Sequence, residues 1–175
     1  AAVTTPILCN GETAIVTITA SGGTGALSYT FNGNTNTTGV FTGIAPGNNL
    51  AWSVKDANNC GPVSGTLNIS QPTALSASVS ESASIVCFGG TANIQITAAG
   101  GTGVKQYTFN GVTNTTGIFT GIAGAVGVGV SYNWSVTDVN SCSVSGTYNV
   151  VQPSQIVVSS IGSNSAICAG ATLNL

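Results

Sequence analysis

The sequence predicts an all-β protein built from tandem β-sandwich repeats, and three observations carry that prediction. Val, Ile, Thr, Phe and Tyr are set among Gly, Asn and Ser, with 42% of residues hydrophobic and 3% charged; this is strand composition with turn punctuation. The chain repeats itself. The two copies also change residue type at alternate positions, which is the signature of strands with one buried face.

The repeat is read by aligning the chain with itself. TAIVTITASGGTG (13–25) recurs as TANIQITAAGGTG (91–103), and YTFNGNTNTTGVFTGIA (29–45) as YTFNGVTNTTGIFTGIA (107–123). WSVKDANNC (52–60) matches WSVTDVNSC (134–142), and SGTLNISQP (64–72) matches SGTYNVVQP (145–153). Near Cys168, ICAGATLNL echoes ILCNGETAI and IVCFGGTAN. The expected organisation is one sandwich over 1–72, a second over 73–153, and the first strand (156–159) and turn of an incomplete third repeat over 154–175. The natural polypeptide is expected to continue past Leu175. Units of about 80 residues lie near the lower limit for an independent core.

Comparison of the copies assigns faces. Ala14, Val16, Ile18 and Ala20 correspond to Ala92, Ile94, Ile96 and Ala98, whereas Ile15 and Thr17 become Asn93 and Gln95. The first set is expected inside and the second outside. The same logic places Tyr29, Phe31, Phe41 and Trp52 in the first core and Tyr107, Phe109, Phe119 and Trp134 in the second. Packing is the expected role of these aromatic residues.

Turn chemistry separates the strands. Asn32-Gly33 and Asn110-Gly111 suit two-residue hairpin turns that need positive φ at both positions. The GGTG segments at 22–25 and 100–103 break one strand from the next. Asp56 and Asp138 open Asx-type turns. Gln-Pro at 71–72 and 152–153 closes each repeat, and the connection to the following strand is short enough to favour a stiff stack.

Several function classes are disfavoured. Gly, Thr, Ser and Asn interrupt every apolar run before the ~20 residues of a membrane-spanning helix, despite a mean hydropathy of +0.40. A net charge of −2 with two lysines offers no footprint for nucleic acid or anionic lipid. The beginning shows no basic and apolar leader pattern, so Ala1 reads as a mature or truncated end. With no His, a Ser/His/Asp triad cannot be assembled. Lys55 and Lys105 align with Thr137 and Leu27, and Glu12 and Glu81 have no counterpart in the other copy, which removes a repeated Ser–Lys dyad or carboxylate pair. No catalytic residue and no cofactor is expected.

Asp56 and Asp138 are the two charged residues that coincide between copies. As a calcium ligand each offers one carboxylate where six to eight oxygens are needed, so a turn-stabilising role is expected and no metal. The cysteines lack zinc-ligand spacing. Asn36, Asn68, Asn114 and Asn133 head N-x-S/T triplets, which arise readily in a chain this rich in Asn, Ser and Thr.

Five cysteines lie at 9, 60, 87, 142 and 168. Cys9, Cys87 and Cys168 are equivalent, as are Cys60 and Cys142. Two per repeat fits structural disulfides in an oxidising compartment. Strand parity leaves the connectivity open. A simple meander puts both cysteines of a repeat at one end and gives Cys9–Cys60 and Cys87–Cys142. A short extra leg near 34–38 puts them at opposite ends, a strand length of ~17–20 Å apart, beyond the ~7 Å Cα limit of a disulfide; Cys9 would then bond Cys142. In either case Cys168 needs a partner outside this chain.

The order Cys-x-Gly, a Val/Ile/Thr strand, GGTG, Tyr-Thr-Phe, Asn-Gly, TGIA, Trp-Ser-Val-x-Asp-x-Asn-x-Cys and a strand ending Gln-Pro resembles the SprB-type repeats of cell-surface adhesins in gliding Bacteroidetes. Those repeats are relatives of PKD-like and immunoglobulin-like sandwiches. The resemblance covers nearly the whole chain, which differs in Trp52 and Trp134 and in extra residues at 125–131. It implies immunoglobulin-like strand order, and with it the Cys9–Cys142 bond between repeats. It also implies a long, secreted, surface-anchored protein that adheres to surfaces or polysaccharide.

The expected function is therefore a non-enzymatic structural or adhesive repeat segment at the cell surface. Its partners are neighbouring repeats or identical subunits and surface polysaccharide, without nucleic acid or membrane insertion. The alternatives are a filament subunit that donates a strand such as 167–175 to a neighbour's sheet, and a carbohydrate-binding module, which would require an exposed aromatic platform.

Overall fold

The structure, a computed structural model, describes residues 1–159. All of its regular structure is strand. The first repeat contains β1 (Ala2–Thr5), β2 (Ala14–Thr17), β3 (Ser28–Phe31), β4 (Asn34–Asn36), β5 (Val40–Ile44), β6 (Gly47–Lys55) and β7 (Val63–Ile69). The second contains β8 (Ser76–Ala83), β9 (Thr91–Ala99), β10 (Gln106–Phe109), β11 (Val112–Asn114), β12 (Ile118–Ala123), β13 (Val130–Thr137) and β14 (Ser143–Val150).

Each repeat makes one three-stranded and one four-stranded antiparallel sheet. The orders are β1-β2-β5 and β4-β3-β6-β7 in the first, and β8-β9-β12 and β11-β10-β13-β14 in the second. The sequence duplication is thus a duplication of topology. In each repeat the two sheets share one apolar core, as in a β-sandwich.

Alternation builds that core. Ala14, Val16 and Ile18 are buried, as are Ala92, Ile94 and Ile96. Phe31 from the four-stranded sheet meets Phe41 from the three-stranded sheet with ring centroids 5.7 Å apart, and Phe109 meets Phe119 at 5.6 Å. Burial of each phenyl ring contributes about 2–3 kcal/mol.

Four of the eight aromatic residues assigned to the core are only half-buried. Tyr29, Tyr107, Trp52 and Trp134 pack against it without being enclosed. Trp52 stands across from Gly65 of the edge strand β7, and Trp134 across from Gly146 of β14. A Cβ at either glycine would lie 2.9 Å from the indole Cζ2. Each indole therefore occupies the space of a missing edge side chain, where solvent reaches it. Ala20 is exposed, against expectation; no strand covers its side of the sheet among the described residues.

The hairpin turns follow the sequence. Asn32 and Gly33 have φ of 44° and 84°, and Asn110 and Gly111 of 47° and 81°. In the Thr-rich stretch, Asn36 Oδ1 accepts from the Thr38 and Gly39 N–H groups while its Nδ2 donates to the Val40 carbonyl. Asn114 does the same for Thr116, Gly117 and Ile118. These two triplet asparagines thus organise a turn.

Residues 152–159 make no strand pairing with any described residue. The strand expected at 156–159 is not formed there, because a single segment has no ladder partner of its own. Cys168 and the rest of the expected third-repeat turn and strand lie outside the described residues.

Candidate functional site at the repeat junction

The feature that repeats, concentrates polar contacts and joins the units is their junction. Its geometry begins with β4. This short leg makes five strands between Cys9 and Cys60 (β2 to β6), an odd number, so the two cysteines of one repeat lie at opposite ends. Cys9 instead meets Cys142 of the next repeat in a disulfide with Cα atoms 5.5 Å apart. The alternative pairs, Cys9–Cys60 and Cys87–Cys142, do not form; Cys60 and Cys87 are exposed thiols.

An aspartate holds each second-cysteine loop. Asp138 Oδ1 accepts from the Asn140 and Cys142 N–H groups at 2.9 and 3.0 Å, and Oδ2 accepts from Thr102 N–H at 2.7 Å. Asp56 repeats the pattern with Asn58 at 3.0 Å, Cys60 at 2.8 Å and Thr24 at 2.9 Å. The turn role was legible in the sequence; the reach across to the GGTG loop was not.

These N–H groups hold both carboxyls below their ordinary pKa. For Asp56 the Thr24 N–H is the largest influence, followed by Cys60, with burial opposing and Asn58 assisting. For Asp138 the Thr102 N–H leads, burial opposes, and Cys142, Asn140 and the Lys105 charge assist. Three N–H donors already occupy each carboxylate. Among the described residues, no three His, Cys, Asp or Glu side chains converge as a metal site.

Other contacts complete the junction. Asn140 Nδ2 donates to the Leu8 carbonyl at 3.3 Å, Asn10 Nδ2 to the Pro72 carbonyl at 2.9 Å, and Gly11 N–H to Gln71 Oε1 at 2.9 Å. The second repeat has the matching Gly89 N–H to Gln152 Oε1 bond at 2.8 Å. The repeated Gln-Pro was a signal for these glutamines, but it reads as punctuation until the glycine after each first cysteine is seen to face it.

The connection between repeats is itself seated. Gly101 N–H donates to the Thr73 carbonyl at 2.9 Å, and Leu75 packs against the second core. Gly100 has φ of 73°, and a Cβ there would collide with the Ala74 carbonyl oxygen.

Two shallow clefts of about 390 and 440 Å³ adjoin Trp52 and Trp134, lined by Thr30, Ser53, Ser64 and Thr66 and their counterparts. No helix among the described residues is long and apolar enough to cross a membrane. The disulfide fits an oxidising environment. No protein-family model and no curated protein matches the chain.

Proposed function

We propose that the chain is a non-enzymatic segment of a long extracellular adhesin or filament, composed of immunoglobulin-like repeats of the SprB kind, and that it transmits tension along a cell-surface structure. The observation that carries this reading is the Cys9–Cys142 bond between repeats. Force applied at the two ends passes through residues 1–9, the bond and residues 142–175, and does not load residues 10–141.

The strand orders support the immunoglobulin-like assignment: a three-stranded sheet faces a four-stranded one, with the short β4 or β11 on the latter's edge. The seated connection and the Asn140–Leu8 bond support a repeat-to-repeat joint made for fixed geometry, and Asn10 and Gln71 brace the first repeat's side of it. The near absence of charge leaves hydration to Thr, Asn and Ser, with little electrostatic steering of ligands. Stretching the chain from its ends, with and without a reductant, tests the proposal.

A further inference from the structure

The four-stranded sheet of each repeat ends on an edge strand that no described strand pairs, β7 in the first and β14 in the second. β7 is open with a repeat following it, and β14 is open with a repeat preceding it, so this edge belongs to the repeat itself. β14 is the longer and the more regular. It pairs with β13 one for one from Val130↔Val150 to Thr137↔Ser143, whereas the β6 and β7 register shifts between Gly47 and Leu50. The ladder fixes where its free groups point. Asn133 offers its carbonyl to the Asn110 N–H on the β10 side, and backbone groups alternate sides along a strand. Trp134 and the other even-numbered residues of β13 therefore face β14. The even-numbered residues of β14 face back, and Ser143, Ser145, Thr147 and Asn149 turn their N–H and C=O groups outward. All four residues are exposed.

Open edges are ordinarily guarded by charge, proline or a bulge. β7 is guarded: Pro62 stands where the second repeat has Ser143, and it has no N–H to offer. β14 (SVSGTYNV) carries neither charge nor proline, and no residue of β10, β11 or β13 is charged. The strand is also its own antiparallel complement. With Gly146 on a two-fold axis, Ser145 faces Thr147 of a second copy, Ser143 faces its Asn149, and Val144 faces its Tyr148. This register is the one that pairs all four outward residues with one another, in hydrogen-bonded pairs, and puts the glycines at the closer non-hydrogen-bonded position. Hydroxyl and amide groups then meet on the outer face, and β-branched and aromatic side chains on the core face, both favourable cross-strand combinations. The axis also brings together two Trp134 indoles, each half-buried across its own Gly146.

We propose that β14 is a self-association edge: two copies of the chain join their second repeats by antiparallel β14-to-β14 pairing about Gly146, which merges two four-stranded sheets into one. The partner is a second copy because the edge matches itself residue for residue and brings no like charges together. The outer-face hydroxyl row Thr113, Thr108, Ser135 and Ser145 then runs on into Thr147 of the second copy. The inference goes beyond the tension-bearing reading, since it adds a sideways contact between chains and leaves the force path along each chain unchanged.

The test uses the full chain with Cys60→Ser, Cys87→Ser and Cys168→Ser, so that no thiol can join copies. Sedimentation velocity from about 1 μM to about 1 mM should show a species of twice 17.1 kDa. Hydrogen exchange at the Ser145 and Thr147 N–H groups should slow as concentration rises, while Ser64 and Thr66, the outward residues of β7, keep their rates. Thr147→Pro removes an outward N–H and leaves the β13 ladder intact; it should weaken association by about ten-fold or more. A charge exchange at exposed positions checks the register independently. A chain with Ser145→Lys and Thr147→Lys, and one with Ser145→Glu and Thr147→Glu, should each stay monomeric, and their equal mixture should restore the dimer. A monomer at every concentration, slowed exchange on β7 in place of β14, association of either like-charged chain, or a mixture that stays monomeric would each overturn the inference. None of those results changes how a single chain responds to force, so the structural-repeat reading is judged separately.

Discussion

Cys9 and Cys142 are 133 residues apart in sequence and 5.5 Å apart at their Cα atoms, because an odd number of strands carries each repeat's second cysteine to the end facing its neighbour. The bond therefore reports strand parity as well as redox chemistry. It fixes the start of one core strand to the Asp138 loop of the following repeat, where Cys142 N–H is already held.

Loss of this bond should be costly. Chain entropy gives a stabilisation of about 5 kcal/mol for a loop of this length, against roughly 2–4 kcal/mol for a typical disulfide, so Cys9→Ser or Cys142→Ser should lower unfolding free energy by about 2–5 kcal/mol in urea titrations. Cys60→Ser and Cys87→Ser, at exposed positions, should stay within about 0.5 kcal/mol of the parent.

Gly39 and Gly117 combine positive φ (72° at each) with a close approach to the carbonyl oxygens of Ile18 and Ile96. Alanine at either should destabilise by about 1–3 kcal/mol. Gly43 has a similar φ of 69° and open space around it, so Gly43→Ala should cost only the left-handed backbone penalty of about 1–2 kcal/mol, less than Gly39→Ala. Equal losses at Gly39 and Gly43 in thermal or urea unfolding would remove the carbonyl contact from the explanation.

Much of this was legible because the chain is written twice. Ile15 and Thr17 becoming Asn93 and Gln95 beside conserved apolar neighbours gave the inward face, and Asn-Gly gave the hairpins. Depth was not legible: alternation says which way Trp52 points, while its half-exposure depends on Gly65 lying on the edge strand. Nor could the exposure of Ala20 be read, since Ala20 and Ala98 are the same residue and differ only in whether a strand such as 76–79 covers them. The Cys9–Cys142 bond lay beyond composition and spacing, which left both parities open until β4 decided between them.

Acid should weaken both cysteine loops. Each aspartate's folded pKa is depressed, below an unfolded value of about 3.9. The sign follows: their stabilisation is fully present above the unfolded pKa and is lost as pH falls through the depressed folded value. Unfolding measured from about pH 6 to pH 2 should show this loss below about pH 4. Asp138→Asn should flatten the acid limb, since an amide NH₂ would face backbone N–H groups at any pH.

Gly22 and Gly100 give an internal control for the seated connection. Their φ values are 85° and 73°, but only Gly100 touches Ala74 and Thr73. Gly100→Ala should therefore destabilise by about 1–3 kcal/mol more than Gly22→Ala in urea unfolding of the single chain. Equal effects would mean that Thr73–Leu75 does not stabilise the second repeat.

Single-molecule stretching from the two ends tests the central claim most directly. With the Cys9–Cys142 bond intact, residues 10–141 are shielded, and extension should come only from segments outside it. Reduction should release the shielded chain, adding about 450 Å of contour length at ~3.4 Å per residue over the 133-residue separation. An oxidised chain that already extends by that amount, or a reduced chain that gains nothing, would contradict the account of a disulfide-clamped, tension-transmitting repeat.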